Sequence, residues 1–176
     1  PPRRRRSVSP AGRRKPATDL LRSIATSLSA LYGKNYFHSL TQYLTNALGV
    51  EYAFVGELAR DRKDTVNIVS ACLAGKILDD FSYSLIDTPC QHIISRGACA
   101  HPRQVQKLFP KDRYLADIGA ECYVGIPLFG SSGQPLGLIS VIGRQALRDR
   151  ETVESVLQVV AGRTATELER QRLYQD

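Results

Sequence analysis

The sequence has 176 residues, which is enough for one domain with a full hydrophobic core and too few for two. It is 43% hydrophobic and 23% charged, and it contains no run of about 18 apolar residues such as a membrane span requires. The net charge of +7 comes from residues 1–16, because the other 160 residues hold 17 basic and 17 acidic side chains. The main body of the chain therefore lacks the basic surface that specific nucleic-acid recognition needs.

The first 17 residues, PPRRRRSVSPAGRRKPA, are rich in Arg, Pro and Ser and are predicted to form a disordered tail or linker. They are not a secretory signal, because no apolar run follows the arginines. The four cysteines include no C-x-x-C pair, which favours a reducing cytoplasm. The chain has no methionine, which favours a piece of a larger protein. We expect a cytoplasmic domain over residues 18–176.

The first predicted elements are two helices and two strands. Thr18 is a candidate N-cap for a helix with apolar positions at helical spacing: Leu20, Leu21, Ile24, Leu28 and Leu31. A second helix, with Phe37 and Leu44 on its apolar side, is expected to end at Gly49. Residues 52–58 and 65–75 read as strands around a polar turn, which predicts an antiparallel pair. Residues 81–86 are predicted to be extended.

The next stretch, IDTPCQHIISRGACAHP (86–102), predicts a short helix followed by a strand. Thr88 and Gln91 have the spacing of a capping box, in which each side chain bonds the other residue's backbone N–H. Pro89 is suited to the first helical position, where its missing N–H costs nothing. Gly97 is the expected end of the helix.

The same stretch alternates cysteine and histidine, but the spacing does not favour a metal site. Cys90 and His92 are two residues apart on a helix and so point to different faces. Cys99 and His101 would share one face of a strand, yet two ligands do not complete a tetrahedral site. Cys90 lies in the first helical turn, where the helix dipole lowers the pKa of a thiol, so it is the one candidate reactive cysteine. A buried cysteine at this position is nonetheless usually inert, and the sequence favours that interpretation.

The remaining elements are a loop, a hairpin and a long helix. Residues 106–120 predict a loop with one or two helical turns, interrupted at Pro110. Residues 122–129 and 135–143 predict a hairpin around the turn sequence GSSGQ. Within these strands, the glycines at 125 and 137 predict a bulge or a close approach of the backbone.

Residues 149–176 predict one long helix with an interrupted apolar stripe, formed by Val153, Val156, Val160, Leu168 and Leu173. Its polar, uncapped end is typical of a signalling helix that leads to another domain, and equally of a terminal helix packed on the sheet. In total, the elements predict an α+β domain with an antiparallel sheet flanked by the terminal helices. There is no G-x-S-x-G, P-loop or G-x-G-x-x-G motif, so we expect no catalytic activity.

The order of the motifs over residues 87–147 resembles a GAF domain, specifically the type found in bacterial multidomain sensors. The matching pieces are Thr-Pro-Cys at the helix start, Leu-Phe-Pro with a following Asp, the segment from Ala120 to Tyr123 leading into Gly-Ile-Pro-Leu, and Gly-x-Pro-Leu-Gly-Leu-Ile at 133–139. The resemblance implies a PAS-related, six-stranded antiparallel sheet. Its N- and C-terminal helices would lie on one face, and a pocket for a small molecule on the other.

The resemblance also implies partners. GAF domains of this type often form homodimers through their terminal helices, and they pass ligand occupancy along the exiting helix, here 149–176, to an output domain of histidine-kinase or GGDEF type. On this basis the chain is expected to be a sensory or regulatory domain without catalysis of its own.

The resemblance implies a pocket with these candidate ligand-binding residues: Phe54, Tyr83, Thr88, Cys90, Gln91, Tyr114, Cys122 and Tyr123. The backbone N–H groups of Cys90 and Gln91 would suit an anion or a carbonyl. The three tyrosines either bracket a planar ligand or serve as core aromatics with hydroxyls at the surface.

Cofactors and other functions are constrained by what the sequence lacks. It has no N-K-x-x-x-F-x-x-x-D-E pattern of cyclic-nucleotide-binding GAF domains and no bilin-attachment context, so a cyclic nucleotide or a covalent tetrapyrrole is not expected. The cysteine and histidine spacing predicts no metal site, and haem, for which His92 or His101 would be the ligand, is not the expected cofactor. One alternative is a thiol-based redox enzyme or sensor that uses Cys90, similar to free methionine sulfoxide reductase, although Cys72 and Cys122 do not fit its other cysteine positions. A second alternative is a dimerisation scaffold that binds no ligand.

Overall fold

The computed structural model describes residues 17–175, so the predicted tail lies outside the described residues except for Ala17, which already belongs to a helix. The helices are α1 (Ala17–Leu28), α2 (Gly33–Leu48), α3 (Pro89–Arg96), α4 (Val105–Leu108), α5 (Arg113–Asp117) and α6 (Arg150–Gln175). The strands are β1 (Tyr52–Leu58), β2 (Thr65–Leu73), β3 (Lys76–Leu78), β4 (Ser82–Ser84), β5 (Cys99–His101), β6 (Cys122–Phe129) and β7 (Pro135–Gly143).

All strands belong to one antiparallel sheet with the order β3-β2-β1-β7-β6-β5, and β4 also pairs with β2. The α+β class and the antiparallel sheet flanked by terminal helices are thus confirmed. The described chain has seven strands rather than the six expected, because the predicted strand 65–75 ends at Leu73. Ala74 and Gly75 then have φ of 49° and 83°, which is the geometry of a two-residue hairpin turn.

The helices α1, α2 and α6 cover one face of the sheet, which we term the helix face. Its core is almost entirely aliphatic and includes Leu40, Ile139 and Leu157, all fully buried. Two expectations for these helices were wrong. Thr18 lies inside α1 rather than capping it, and Leu173 is 74% exposed rather than part of the apolar stripe of α6.

The opposite face, which we term the cavity face, is covered by α3, α4, α5 and the segment around β4. The helix α3 packs very closely here: a Cβ placed on Gly125 would lie 2.2 Å from Ile93 Cδ1 and 2.6 Å from Ser140 Oγ. On β7, a Cβ on Gly137 would lie 2.0 Å from the carbonyl oxygen of Gly56, beside a register shift in β1. The predicted close approach at both glycines is confirmed.

Two arginines of the long helix α6 bind it to the rest of the domain. Arg163 donates hydrogen bonds to the carbonyl of Leu28, the last residue of α1, and to that of Leu31 in the loop after it. Arg172 forms an ion pair with Glu57 of β1, and each side chain is 20% exposed. The helix is therefore held to both α1 and the sheet. In residues 17–175, no helix combines the length and the apolar character needed to cross a membrane.

Candidate ligand-binding site

A cavity of about 270 Å³ lies on the cavity face. The described residues that line it are Phe54, Ile68, Ala71, Leu73, Phe81, Ser82, Tyr83, Cys90, Asp112, Tyr114, Leu115, Tyr123 and Ile142. They come from five strands (β1, β2, β4, β6 and β7), from α3 and α5, and from the loop residues before β4 and α5. The cavity is therefore built by segments spread over most of the chain.

Alternation along the strands explains which side chains face the cavity. On β1, Phe54 belongs to the core of the cavity face, whereas its neighbours Ala53 and Val55 belong to the core of the helix face. On β7, Ile142 faces the cavity and Val141 the helices. Successive side chains of a strand point to opposite faces of the sheet, so every second residue of these strands lies on the cavity face.

The segment before β4 forms one wall of the cavity and is held by both backbone and side-chain bonds. The N–H of Ile68 in β2 donates to the carbonyl of Phe81 at 2.7 Å. His38 of α2 lies 2.9 Å from a carboxylate oxygen of Asp79, and this hydrogen bond is the main cause that lowers the pKa of Asp79. His38 is 31% exposed, so it ties this wall to α2 at the boundary of the domain.

A chain of hydrogen bonds runs from the cavity wall into the sheet. The Tyr83 hydroxyl donates to Cys90 Sγ at 3.1 Å. The thiol lies 2.9 Å from the Tyr123 hydroxyl, which lies 2.7 Å from Ser140 Oγ. Tyr123, Cys90 and Ser140 are buried. Tyr123 is thus a core aromatic, but its hydroxyl is buried and hydrogen-bonded rather than at the surface.

The groups in this chain stay protonated at neutral pH. Burial raises the pKa of Cys90 to about 11, although hydrogen bonds from Tyr123 and Tyr83 oppose the shift. Burial also raises the pKa of Tyr83 and of Tyr123 well above the usual value. The expectation that the helix dipole lowers the pKa of Cys90 was wrong, because removal of the thiol from water outweighs the dipole.

Asp112 and Tyr114 lie at the start of α5, where the cavity meets solvent. Tyr114 is 41% exposed. Burial raises the pKa of the Asp112 carboxyl, and the backbone N–H groups of Leu115 and Tyr114 lower it to a smaller extent. The Asp112 side chain nevertheless makes no capping hydrogen bond to α5. Within the described cavity lining, Asp112 is the only residue whose side chain carries a charge near neutral pH.

Five of the eight candidate binding residues line the cavity: Phe54, Tyr83, Cys90, Tyr114 and Tyr123. Thr88, Gln91 and Cys122 lie outside its lining. Cys122 is on the helix-face side of β6, where a Cβ on Gly143 would be 2.8 Å from its sulfur.

The predicted capping box at α3 does not form. The Thr88 hydroxyl donates to the carbonyl of Leu85 at 2.7 Å, and the Gln91 side chain accepts from the N–H of Asp87 at 3.3 Å. The N–H of Gln91 donates to the carbonyl of Thr88, so it is not free for an anion or a carbonyl. Pro89 does occupy the start of α3, and Gly97, with φ of 101°, ends it as predicted.

His92 and His101 lie outside the cavity lining. His92 and His101 both pack edge-to-face against Phe109, with ring centroids 5.1 and 5.2 Å away. Within residues 17–175, no three His, Cys, Asp or Glu side chains come together as a metal site. The described cysteines Cys72, Cys90, Cys99 and Cys122 are all free thiols.

Sequence reasoning missed eight of the lining residues: Ile68, Ala71, Leu73, Phe81, Ser82, Asp112, Leu115 and Ile142. Ile142 could have been inferred from alternation along β7, whereas Ile68 and Ala71 share a face only because of the register shift between β1 and β2, which the sequence does not reveal. Asp112 carries a weaker signal, since an aspartate just before a predicted helical turn is first of all a candidate N-cap.

No protein-family model matches the sequence, and a search of curated proteins finds no match. Solved structures do match the fold. The GAF domain of phosphoenolpyruvate-protein phosphotransferase from Acinetobacter superposes with a TM-score of 0.71 at 12% identity, over 90% of this chain and 96% of that one.

Two further matches come from other GAF domains. The phycoerythrobilin-bound GAF domain of a cyanobacterial phytochrome gives a TM-score of 0.66 at 13% identity, over 92% of this chain and 99% of that one. The nlh2 GAF domain of A. aeolicus in an inactive state gives a TM-score of 0.65 at 16% identity, over 88% of this chain and 96% of that one. At these identities the similarity shows the fold, and the fold is that of a GAF domain.

Proposed function

We propose that the chain is a sensory or regulatory GAF domain that binds a small organic molecule in the cavity. Occupancy would be passed through α6 to an output domain of histidine-kinase or GGDEF type. The observation that carries the proposal is a cavity of about 270 Å³ with a built lining, on the sheet face opposite the terminal helices. The solved GAF domains that hold a phytochrome chromophore support a ligand-binding role for this fold.

The size of the cavity favours a small ligand. Cavities that enclose drug-sized molecules usually measure about 300–1,000 Å³, and this one lies just below that range. A linear tetrapyrrole is at least drug-sized. We therefore propose a ligand smaller than the chromophores of the phytochrome neighbours.

A route from the cavity to α6 exists through two central strands. Phe54 and Ile142 line the cavity, while their neighbours Val55 and Val141 belong to the helix-face core, where α6 packs on β6 and β7. At the end of β1, Glu57 forms an ion pair with Arg172 of α6. A shift of β1 or β7 on ligand binding would thus act directly on the exiting helix.

The protonated state of Cys90 supports a non-catalytic role. The thiolate is the reactive form of cysteine, and with a pKa of about 11 Cys90 is almost entirely thiol near pH 7. A redox enzyme or sensor that depends on Cys90 would need this pKa to be much lower. We also propose a cytoplasmic location, with which four free thiols agree.

We further propose that the chain forms a homodimer through α1 and α6. The outer surface of α6 includes apolar side chains that are mostly exposed, Val159 at 57%, Leu173 at 74% and Tyr174 at 79%. Sedimentation equilibrium of the wild type and of Val159→Glu tests this. A dimer that the charge weakens supports the proposal, and a wild-type monomer at 100 μM contradicts it.

Native mass spectrometry of the full chain, purified from its host without denaturation, tests ligand binding. We expect a mass above that of the chain alone, from a non-covalent compound. Ala71→Leu places a larger side chain in the cavity and should remove the adduct, whereas Ala116→Leu, the same change at an exposed site on α5, should keep it. A wild-type protein free of adduct in every preparation contradicts the proposal and favours the scaffold alternative.

A further inference from the structure

The cavity is unusually rich in aromatic rings. The chain contains eight Tyr, five Phe and no Trp. Among the described residues, five of these aromatics line this one cavity, namely Phe54, Phe81, Tyr83, Tyr114 and Tyr123. Phe54 and Tyr83 stand edge to face, with centroids 6.1 Å apart. Their ring faces carry partial negative charge, so they attract cations.

The charge of the cavity has one sign. Asp112 is the charged residue of the described lining, and within residues 17–175 it forms no ion pair with a Lys, Arg or His side chain. Burial is the main cause that raises the pKa of Cys90, of Tyr83 and of Tyr114, and the negative charge of the Asp112 carboxylate raises each of them further. Its field therefore extends from the mouth of the cavity at Tyr114 to the buried thiol.

The hydrogen-bonding capacity of the cavity also lies mainly at Asp112. The hydroxyl of Tyr83, the thiol of Cys90 and the hydroxyl of Tyr123 are already bonded to one another. The N–H of Gln91 at the start of α3 is bonded within the turn. A carboxylate without a cationic partner, beside aromatic rings, is the group that an incoming ligand would satisfy.

We propose, on the basis of the proposed function, that the ligand is a small organic cation: an ammonium group on an apolar or aromatic body. The ammonium would lie against the Asp112 carboxylate and the ring of Tyr114, and the body would lie against the edge-to-face pair of Phe54 and Tyr83. An anionic ligand is disfavoured because it would meet the carboxylate at the mouth and no described cationic side chain in the lining.

Three compounds of nearly the same shape test the assignment by isothermal titration calorimetry at pH 7.5: 2-phenylethylammonium, 2-phenylethanol and phenylacetate. Each is titrated into the full chain after removal of any co-purified compound by partial unfolding and refolding. We expect the ammonium to bind about tenfold more tightly than the alcohol, because it adds a charge-assisted contact. Phenylacetate should bind most weakly.

Two variants locate the charge that is responsible. Asp112→Asn should lower the affinity for 2-phenylethylammonium about tenfold and leave that for 2-phenylethanol unchanged within twofold. Asp117→Asn, on the exposed side of the same helix α5, is the matched control and should change neither affinity.

The outcomes separate this inference from the proposed function. Equal affinities for the ammonium and the alcohol, an unaltered preference in Asp112→Asn, or no binding of any of the three probes would overturn the cation assignment. A neutral or anionic compound found by native mass spectrometry would also overturn it while supporting ligand binding. Co-purification of an amine that Asp112→Asn fails to retain would support both.

Discussion

The two faces of the sheet use the same strands but differ in the side chains that they present. The helix face packs aliphatic residues against α1, α2 and α6, with Leu40, Ile139 and Leu157 fully buried. The cavity face has aromatic rings, a buried hydrogen-bond chain and about 270 Å³ of space. The difference indicates that the aliphatic core of the helix face contributes most to stability, whereas the cavity leaves space unfilled on the other face.

The largest expected effect compares two isoleucines on β7, Ile139 of the helix face and Ile142 of the cavity face. Ile139→Ala should lower the free energy of unfolding by about 4 kcal/mol, because it opens a new void in a packed core. Ile142→Ala should cost about 2 kcal/mol, since this side chain already borders a cavity. Urea denaturation at pH 7 measures both, and equal losses would remove the distinction between the faces.

The next effect concerns the chemical inertness of Cys90. Its pKa of about 11 makes the thiolate fraction at pH 8 about two orders of magnitude smaller than for an unstructured cysteine. Alkylation by iodoacetamide, followed residue by residue by mass spectrometry, should therefore be at least about 100-fold slower for Cys90 in the folded protein than in urea. Rapid alkylation of folded protein at Cys90 would restore the thiol-based alternative.

A third prediction tests how closely α3 packs on the cavity face. Gly125→Ala would bring a methyl group against Ile93 and Ser140, and we expect a loss of about 2 kcal/mol. Gly162→Ala, at an exposed position of α6 with no atom near the added methyl, should stabilise by up to about 1 kcal/mol. Thermal unfolding of both variants shows whether each change raises or lowers stability. If Gly125→Ala left the stability unchanged, α3 would be packed loosely on the sheet.

These contrasts show which parts of the fold a sequence can predict. The hairpin at 122–143 and the helix ends at Gly49 and Gly97 follow from local rules, and the structure agrees. The pKa of Cys90 was predicted in the wrong direction, because the helix dipole is visible in the sequence whereas burial is not. Burial depends on Tyr83 and Tyr123, which reach the thiol only after the sheet has formed.

The wall of the cavity before β4 illustrates the same limit. A short polar segment around Asp79 and Asp80 has no strong periodicity, so β3 and the contact between His38 and Asp79 were not predicted. The role of Asp112 in the lining was also not predicted, since it depends on how α5, β2 and β4 come together around the cavity. Tertiary placement, rather than local propensity, decides these features.

The smallest expected effect is on stability, at Asp112. Its pKa in the folded protein is raised, mainly by burial, so the ionised carboxylate destabilises the fold at pH values above that pKa. Asp112→Asn, which is an equally good N-cap, should raise the free energy of unfolding at pH 7 by less than about 1 kcal/mol, because the carboxyl is only partly buried. The gain should disappear as the pH falls below about 4, the pKa of an unfolded aspartate. Thermal unfolding at pH 7 and pH 4 checks this, and a gain that grows toward low pH would reverse the sign of the shift.

We expect the cavity to admit a guest molecule and the helix-face core around Ile126 and Ile139 to admit none, and xenon tests this most directly. Xenon binds apolar cavities without needing a polar contact. Methyl NMR spectra recorded under xenon pressure should show shifts for Ile68, Leu115 and Ile142, which line the cavity, and none for Ile126 and Ile139 on the helix face. Unshifted cavity-face methyls, or equal shifts on both faces, would contradict the account.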